Sequence, residues 1–254
     1  MLTVGFLVLT AERLGSRSSP ATPSPVGPAG SWALAFADEF EGTAVDWTRW
    51  ADSSSAEADQ GHGNKGNQQL EWNQGANCTV GNGVLHMTAK RENHGSYTWT
   101  SCLITSTPSY SFQYGYIEER AQLPAAKGFW PAFWTWSTGN TYIETDAYEY
   151  HSQNHTRLHV TQHSGGGGGC IVTLDVDPSA GLHVYGVDIE PTGTTWYVDG
   201  HAVCSTAGTS TGRTALVSDN FVSSAAPPDP GTTSATKDVD YIRAFVPRSP
   251  APAR

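Results

Sequence analysis

Basic residues are scarce in this chain of 254 residues, which has 14 Lys and Arg against 24 Asp and Glu and a net charge of −10. Nucleic acids and other polyanions are bound by clustered Lys and Arg, so the charge argues against such a partner. The sequence has no apolar run as long as the roughly 18–20 residues that a bilayer-spanning helix needs. Leu, Glu and Lys, which helical bundles favour, are also few. The composition therefore argues against nucleic-acid binding, a membrane span and a helical bundle.

Several common motifs are missing as well. The chain has no Gly-rich phosphate loop with a Lys, no G-x-S-x-G and no Rossmann fingerprint. No C-x-x-C pair occurs among its four cysteines, which argues against a structural zinc site. An even number of cysteines allows two disulfides in three connectivities, or four free thiols. We expect the pairs Cys78–Cys102 and Cys170–Cys204, and hence an oxidising compartment.

Turn residues and aromatic residues are abundant, with 27 Gly, 15 Pro and an aromatic content of 11%. The segment VLHMTA at 84–89 alternates with period two, as a half-buried strand does. Asp199 and Gly200 form a hairpin signal between two strand-like segments. No window of about 11–18 residues shows a helical period. Short strands separated by turn signals predict an all-β sandwich or barrel.

The two ends of the chain differ in composition from the middle. Residues 1–31 are predicted to be a leader, with an apolar signal-like run at 2–10 and a Ser/Pro-rich linker at 16–30. The run lacks a preceding Lys or Arg and a clean cleavage site, so it is an incomplete or atypical signal, or part of a disordered tail. Residues 32–246 are predicted to form the folded domain, and 247–254 a disordered tail. Within the domain, Gly165–Gly169 is expected to be a mobile loop.

Three acids lie within six residues in the segment YIETDAYEYH at 142–151: Glu144, Asp146 and Glu149. The segment is rich in Tyr, Ile and Thr and should be extended, so the first two acids share a face and Glu149 points the other way. A β-bulge near Ala147 and Tyr148 would return Glu149 to the shared face. Three carboxyl groups would then line one surface.

Neighbouring acids shift one another's pKa values, so that one can remain protonated near neutral pH. Such a pair suits retaining glycoside cleavage, in which a carboxylate attacks the anomeric carbon and a carboxylic acid protonates the departing oxygen. Two alternatives remain open from these residues: a solvated acidic strand face, and a site for a hard cation such as calcium.

Aromatic residues lie just upstream, in FWPAFWTW at 129–136. Trp130 and Trp134 are four residues apart and share a face of a strand. Flat rings with an N–H group suit the C–H faces of sugars, although aromatic residues are also common in cores. Beside an acidic strand, the pair favours a sugar platform.

Together the two segments resemble glycoside hydrolase family 16, especially its laminarinase-like branch, whose E-x-D-x-x-E signature follows a W-P-A-F-W block. Six further segments fit the family in order: FADEFEG at 36–42, GVLHMTA at 83–89, YGYIEERAQLP at 114–124, HVYGVD at 183–188, TWYVDG at 195–200 and VDYIR at 239–243. The resemblance implies a concanavalin A-like β-jelly-roll sandwich with a concave substrate cleft, and a retaining endo-glycosidase without cofactor.

The resemblance also implies roles. Glu144 would be the nucleophile, Glu149 the acid and then the base, and Asp146 the residue that tunes the nucleophile. Trp130 and Trp134 would line the sugar subsites.

Four other residues match family positions. His163 and Asn67 match cleft residues that contact the substrate. Glu39 and Asp240 resemble positions near a calcium site found in parts of the family, so a structural calcium ion is one alternative and free surface carboxylates are the other.

The activity implied is that of a secreted, monomeric endo-β-glucanase acting on β-1,3 or mixed β-1,3/1,4 glucan, with the polysaccharide as its partner. The alternatives are another retaining activity of the family (galactan, agar or carrageenan hydrolysis, or transglycosylation) and a non-catalytic sugar-binding module. Gln69, Thr145 and Tyr148 depart from the family's usual residue types, which leaves the linkage open.

Overall fold

The computed structural model describes residues 22–209 and 211–248, so residues 1–21 of the predicted leader and 249–254 of the predicted tail lie outside the described residues. Within the described part of the leader, the backbone N–H of Val26 donates to Glu118 Oε2 (2.7 Å), and the Tyr116 hydroxyl donates to the carbonyl of Val26 (2.5 Å). Among residues 22–209 and 211–248, no helix reaches the length and apolar character needed to cross a bilayer.

The described residues form sixteen strands and three short 3₁₀ helices. The strands are β1 Trp32–Asp38, β2 Glu71–Asn73, β3 Cys78–Gly81, β4 Val84–Lys90, β5 Trp99–Ser101, β6 Leu103–Thr105, β7 Gly115–Gln122, β8 Phe129–Ser137, β9 Glu144–Glu149, β10 Arg157–Gln162, β11 Gly168–Thr173, β12 His183–Glu190, β13 Gly193–Val198, β14 His201–Thr206, β15 Thr214–Val222 and β16 Ser234–Pro247. The 3₁₀ helices are Asp59–Gly61, Lys65–Asn67 and Gly75–Asn77.

The strands form two sheets that pack face to face as a β-jelly-roll sandwich. The ten-stranded sheet has the order β14-β13-β12-β7-β16-β4-β5-β2, with β1 added beside β16 and β3 beside β4. The six-stranded sheet has the order β11-β10-β9-β8-β15-β6. All pairings in the described residues are antiparallel except that of β2 with β5. The prediction of an all-β sandwich is confirmed.

The core lies between the sheets, because alternate side chains of each strand point to the inner face of its sheet. In β4, buried and half-buried residues alternate, because one face meets the core and the other meets solvent. In β15 all nine residues are buried, since Leu216 packs in the main core while Val217 and Phe221 pack in a second cluster with Leu103 and Trp134. Burial on both faces removes the alternation that marks a strand in the sequence, and residues 214–222 show no period-two pattern.

The prediction of a mobile loop at Gly165–Gly169 is wrong for its last two residues. Gly168 and Gly169 lie in edge strand β11, paired with β10, and are not part of a mobile loop. A Cβ at Gly169 would come within 2.1 Å of the carbonyl oxygen of Val160, so glycine permits the close approach of the two backbones.

Both predicted disulfides are confirmed. Cys170–Cys204 joins β11 to β14, the edge strands of the two sheets. Cys78–Cys102 joins β3 to the point where the chain passes from the large sheet to the small one.

Loss of the Cys170–Cys204 bond should destabilise the protein. The bond closes a loop with a sequence separation of 34, for which the entropy of the unfolded chain predicts a loss of about 4 kcal/mol. We expect the Cys170→Ser/Cys204→Ser variant to lower the free energy of unfolding by roughly that amount in urea titrations. An unchanged unfolding midpoint would contradict this account.

Candidate active site

An extra residue in β9 places the three acids together. Tyr148 pairs with Phe133 and Asp146 pairs with Trp134, so Ala147 has no partner in β8 and forms a bulge. Ala147 and Tyr148 face the core between the sheets. The predicted bulge is confirmed, and the acids before and after it emerge on the outer face of the small sheet.

This face forms the floor of a cleft of about 440 Å³. All seven residues proposed from the sequence as catalytic or substrate-binding line it: Glu144, Asp146, Glu149, Trp130, Trp134, His163 and Asn67. Strands β8 and β9 supply five of them. His163 directly follows β10, and Asn67 ends a 3₁₀ helix in the loop on the opposite wall.

Asp146 occupies the centre of the acidic group. His163 Nε2 lies 2.8 Å from Asp146 Oδ2, and Trp196 Nε1 donates to the backbone carbonyl of Asp146 (2.7 Å). The hydrogen bond to Asp146 raises the pKa of His163 to about 9, so the imidazole is cationic at neutral pH. Burial raises the pKa of Asp146, and the hydrogen bond and charge of His163 oppose that rise.

Glu149 is the acid in the cleft that is best placed to carry a proton. Burial, followed by the charge of Asp146, raises its pKa to about 8, while Trp130 Nε1 donates to Glu149 Oε1 (3.0 Å). Burial and Asp146 also raise the pKa of Glu144, but the Tyr142 hydroxyl donates to its carboxylate and opposes the rise. The surroundings therefore favour Glu149 as the residue that carries a proton near neutral pH.

The two predicted platform tryptophans differ in exposure. Trp130 is half-buried and contacts the rings of His151 and Phe221. Trp134 is 6% exposed, and its Nε1 donates to the buried carboxylate of Asp219 (2.6 Å). Trp130 therefore offers ring surface to a ligand, whereas Trp134 mainly packs beneath the cleft floor.

Tyr142 and Glu57 are among the cleft residues that sequence reasoning missed. Tyr142 is 52% exposed, and it precedes Glu144 by two positions, which on a strand gives the same face and could have signalled it. Glu57 reaches the cleft from the opposite loop, and burial raises its pKa to about 7. No local pattern marked Glu57, because its position depends on how that loop folds over the sheet.

The suggested calcium residues are both engaged by arginines. Arg243 forms two hydrogen bonds to Glu39 (2.8 and 2.7 Å), and Arg120 forms one to Asp240 (2.6 Å). Among the described residues, the group whose ligand atoms lie close enough for a metal ion is Glu144, Asp146 and His163, within 4.8 Å of one another.

Comparisons with known proteins agree with this geometry. A sequence model of the family described as "Glycosyl hydrolases family 16" matches residues 64–228. A beta-glucanase from Rhodothermus marinus is 29% identical over 76% of this chain and 69% of its own length. An endo-1,3-1,4-beta-glycanase from Rhizobium meliloti is 30% identical over 83% of this chain, which spans 51% of that relative. The laminarinase catalytic domain from Thermotoga petrophila superposes with a TM-score of 0.77 at 25% identity, covering 87% of this chain and 100% of that one.

A buried acid behind the cleft should make stability depend on pH. Burial raises the pKa of Glu71 from its ordinary value of 4.5 to about 8, although the N–H of Val222 donates to its carboxylate (2.8 Å). The folded protein therefore keeps a proton that the unfolded chain has lost, so stability falls as the pH rises from about 4.5 to about 8.

We expect the melting temperature to be lower at pH 8 than at pH 5. Glu71→Gln, which cannot ionise and can still accept from Val222, should reduce the difference. Glu149, with a pKa of about 8, retains part of the effect in the variant. Equal pH dependence in the wild type and the variant, measured by calorimetry, would refute the assignment.

Proposed function

Because the chain belongs to glycosyl hydrolase family 16, we propose that it is a retaining endo-β-glucanase that hydrolyses internal β-1,3 or mixed β-1,3/1,4 linkages. The observation that carries the proposal is the bulge at Ala147, which brings Glu144 and Glu149 to one cleft face. The named activities of the relatives support the choice of glucan.

The mechanism follows from the different surroundings of the two glutamates. Glu144, ionised, attacks the anomeric carbon as Glu149 gives its proton to the departing glycosidic oxygen, which leaves a covalent glycosyl ester on Glu144. Glu149, now a carboxylate, takes a proton from water as that water attacks the same carbon. The ester bond breaks, Glu144 leaves as a carboxylate, and two inversions give net retention of configuration.

The neighbours of the glutamates assist each step. The Tyr142 hydroxyl donates to the Glu144 carboxylate and opposes the rise in its pKa that burial and Asp146 cause. Burial, followed by the negative charge of Asp146, raises the pKa of Glu149 to about 8, so this acid is suited to carry a proton near neutral pH. The His163 cation next to Asp146 balances part of this negative charge. In this assignment Trp130 both orients Glu149 and stacks against a sugar ring.

Two groups of alternatives are distinguished by product analysis. Galactan, agar or carrageenan hydrolysis would show in the choice of polymer, and transglycosylation would show as products longer than the donor. A non-catalytic sugar-binding module would bind glucan without cleaving it. The convergence of Glu144, Asp146 and Glu149 on one cleft, where Trp130 Nε1 donates to Glu149, favours an enzyme over a module.

We propose that the enzyme acts outside the cell as a monomer. Two disulfides fit an oxidising compartment. Among the described residues, four large apolar side chains are exposed, Trp47, Tyr142, Ile171 and Val176, and Tyr142 belongs to the cleft. Such limited apolar exposure is ordinary for a monomer.

Azide rescue tests the roles of the two glutamates. On an activated β-glucoside of a short glucan, Glu149→Ala should lower turnover by roughly 10²–10⁴-fold, and azide should restore it with a β-glycosyl azide as product. Glu144→Ala with azide should give the α-glycosyl azide, because azide then attacks from the vacated nucleophile's side. The anomers are identified by proton NMR, and melting temperatures close to the wild type serve as the control.

Wild-type protein that binds laminarin and mixed-linkage glucan without releasing sugar would overturn the enzyme assignment. Wild-type hydrolysis that both alanine variants retain would instead overturn the assignment of these residues.

Catalysis by carboxyl groups predicts independence from metal ions. His163 Nε2 and Asp146 Oδ2 are hydrogen-bonded to each other, so a metal ion bound through these two atoms would have to replace that bond. We expect dialysis against EDTA to leave kcat unchanged, and calcium added afterwards to have no effect on it. A loss of kcat that calcium reverses would instead support the cation site.

A further inference from the structure

Buried polar contacts attach the inner side of the catalytic bulge to the opposite sheet. Tyr148, which the bulge turns into the core, donates its hydroxyl to Glu119 Oε2 on β7 (2.6 Å). Burial raises the pKa of Tyr148 well above its usual value, so the hydroxyl stays protonated and remains a donor. Glu119 is fully buried and accepts from Ser218 Oγ at its other oxygen (2.6 Å).

A lysine completes this arrangement. Lys237 Nζ on β16 lies 2.9 Å from Glu119 Oε2, and neither side chain is exposed. Lys237 also donates to Ser218 Oγ (2.8 Å) and to the backbone carbonyl of Ala132 (2.8 Å). Ala132 is the residue of β8 that pairs with Glu149. We call Tyr148, Glu119, Lys237 and Ser218 the inner tether, since it links the two strands of the catalytic face to the large sheet.

Stability alone is a weak reason for such a group in the core. A buried ion pair loses hydration, and replacing one with apolar residues of similar volume is often neutral or stabilising. A charged and hydrogen-bonded group can instead fix the relative position of the strands that carry it, because its atoms must meet at defined distances and angles. The tether contacts β9 at Tyr148, next to the extra residue, where a shift of register would move Glu149 to the other face.

We propose that the inner tether holds the bulge at Ala147 in place and thereby sets the separation of Glu144 and Glu149, an inference that rests on the proposed function. The members of the tether touch no substrate and act through β8 and β9, so they are positioning residues. The bulge interrupts the regular pairing of β9 with β8. In this proposal the inner tether fixes the register of β9 from the core side, as regular pairing would otherwise do.

The first test compares two tyrosines that differ in their hydroxyl contacts. Tyr148→Phe removes the hydrogen bond to Glu119 and keeps the ring. Tyr185→Phe is the matched control, because Tyr185 is equally buried, its ring lies 4.6 Å from that of Tyr148, and its hydroxyl has no hydrogen-bond partner among the described residues.

We expect Tyr148→Phe to lower kcat on a soluble mixed-linkage glucan about tenfold to a hundredfold with little change in KM, since displacing a catalytic group by about 1 Å can cost that much. Hydrogen exchange measured by mass spectrometry should become faster in the peptide covering residues 144–149. Tyr185→Phe should match the wild type in both measurements. Tyr148→Phe with the kcat and exchange of the control would overturn the proposal, whatever its melting temperature.

A second variant separates positioning from stability. Glu119→Met/Lys237→Leu removes both buried charges together, and we expect a melting temperature near the wild type. Its kcat should fall as in Tyr148→Phe, and wild-type kcat and exchange in this variant would overturn the proposal. If it does not fold, the tyrosine comparison decides. If the wild type cleaves no glucan, the proposed function fails, while the exchange comparison still tests the tether.

Discussion

The single extra residue at Ala147 is the constraint on which the rest of the site depends. In a regular strand, Glu149 would point away from Glu144 and Asp146, and β9 would present two acids to the cleft in place of three. With the bulge, the outer face collects the acids, and the inner face receives Ala147 and Tyr148. The bulge thus separates reactive groups from core groups along six residues of chain.

Electrostatics then gives two chemically identical side chains different properties. Glu144 and Glu149 both lie close to Asp146 and partly out of water, and both of these effects raise their pKa values. The hydroxyl of Tyr142 opposes the rise at Glu144. Glu149, with its pKa near 8, is the one of the two that is suited to carry a proton near neutral pH. Acids whose pKa values are raised in the folded protein stabilise it at low pH, so the site lowers the free energy of unfolding at alkaline pH.

The interior of the sandwich is less uniform than its aromatic composition suggests. Most of the core is apolar, but the centre beneath β8 and β9 contains the ion pair of Glu119 and Lys237 with its hydrogen bonds. Trp196 adds a bond from the large sheet to the backbone of Asp146. The large sheet therefore contributes to the geometry of the acidic group although the acids lie on the other sheet.

The sequence by itself determined the features that depend on near neighbours. Period-two alternation, the turn at Asp199 and Gly200, the cluster of acids and the block containing Trp130 all lie within short segments, where local geometry decides side-chain direction. Tertiary structure alone decided the strand Thr214–Val222, whose burial on both faces removes its pattern, and the pairing of Gly168–Gly169 at an edge. It also decided the approach of Glu57 to the cleft and the meeting of Glu119, Tyr148 and Lys237. These residues are far apart in the chain, and they meet because of the order of strands in two packed sheets, which no local pattern encodes.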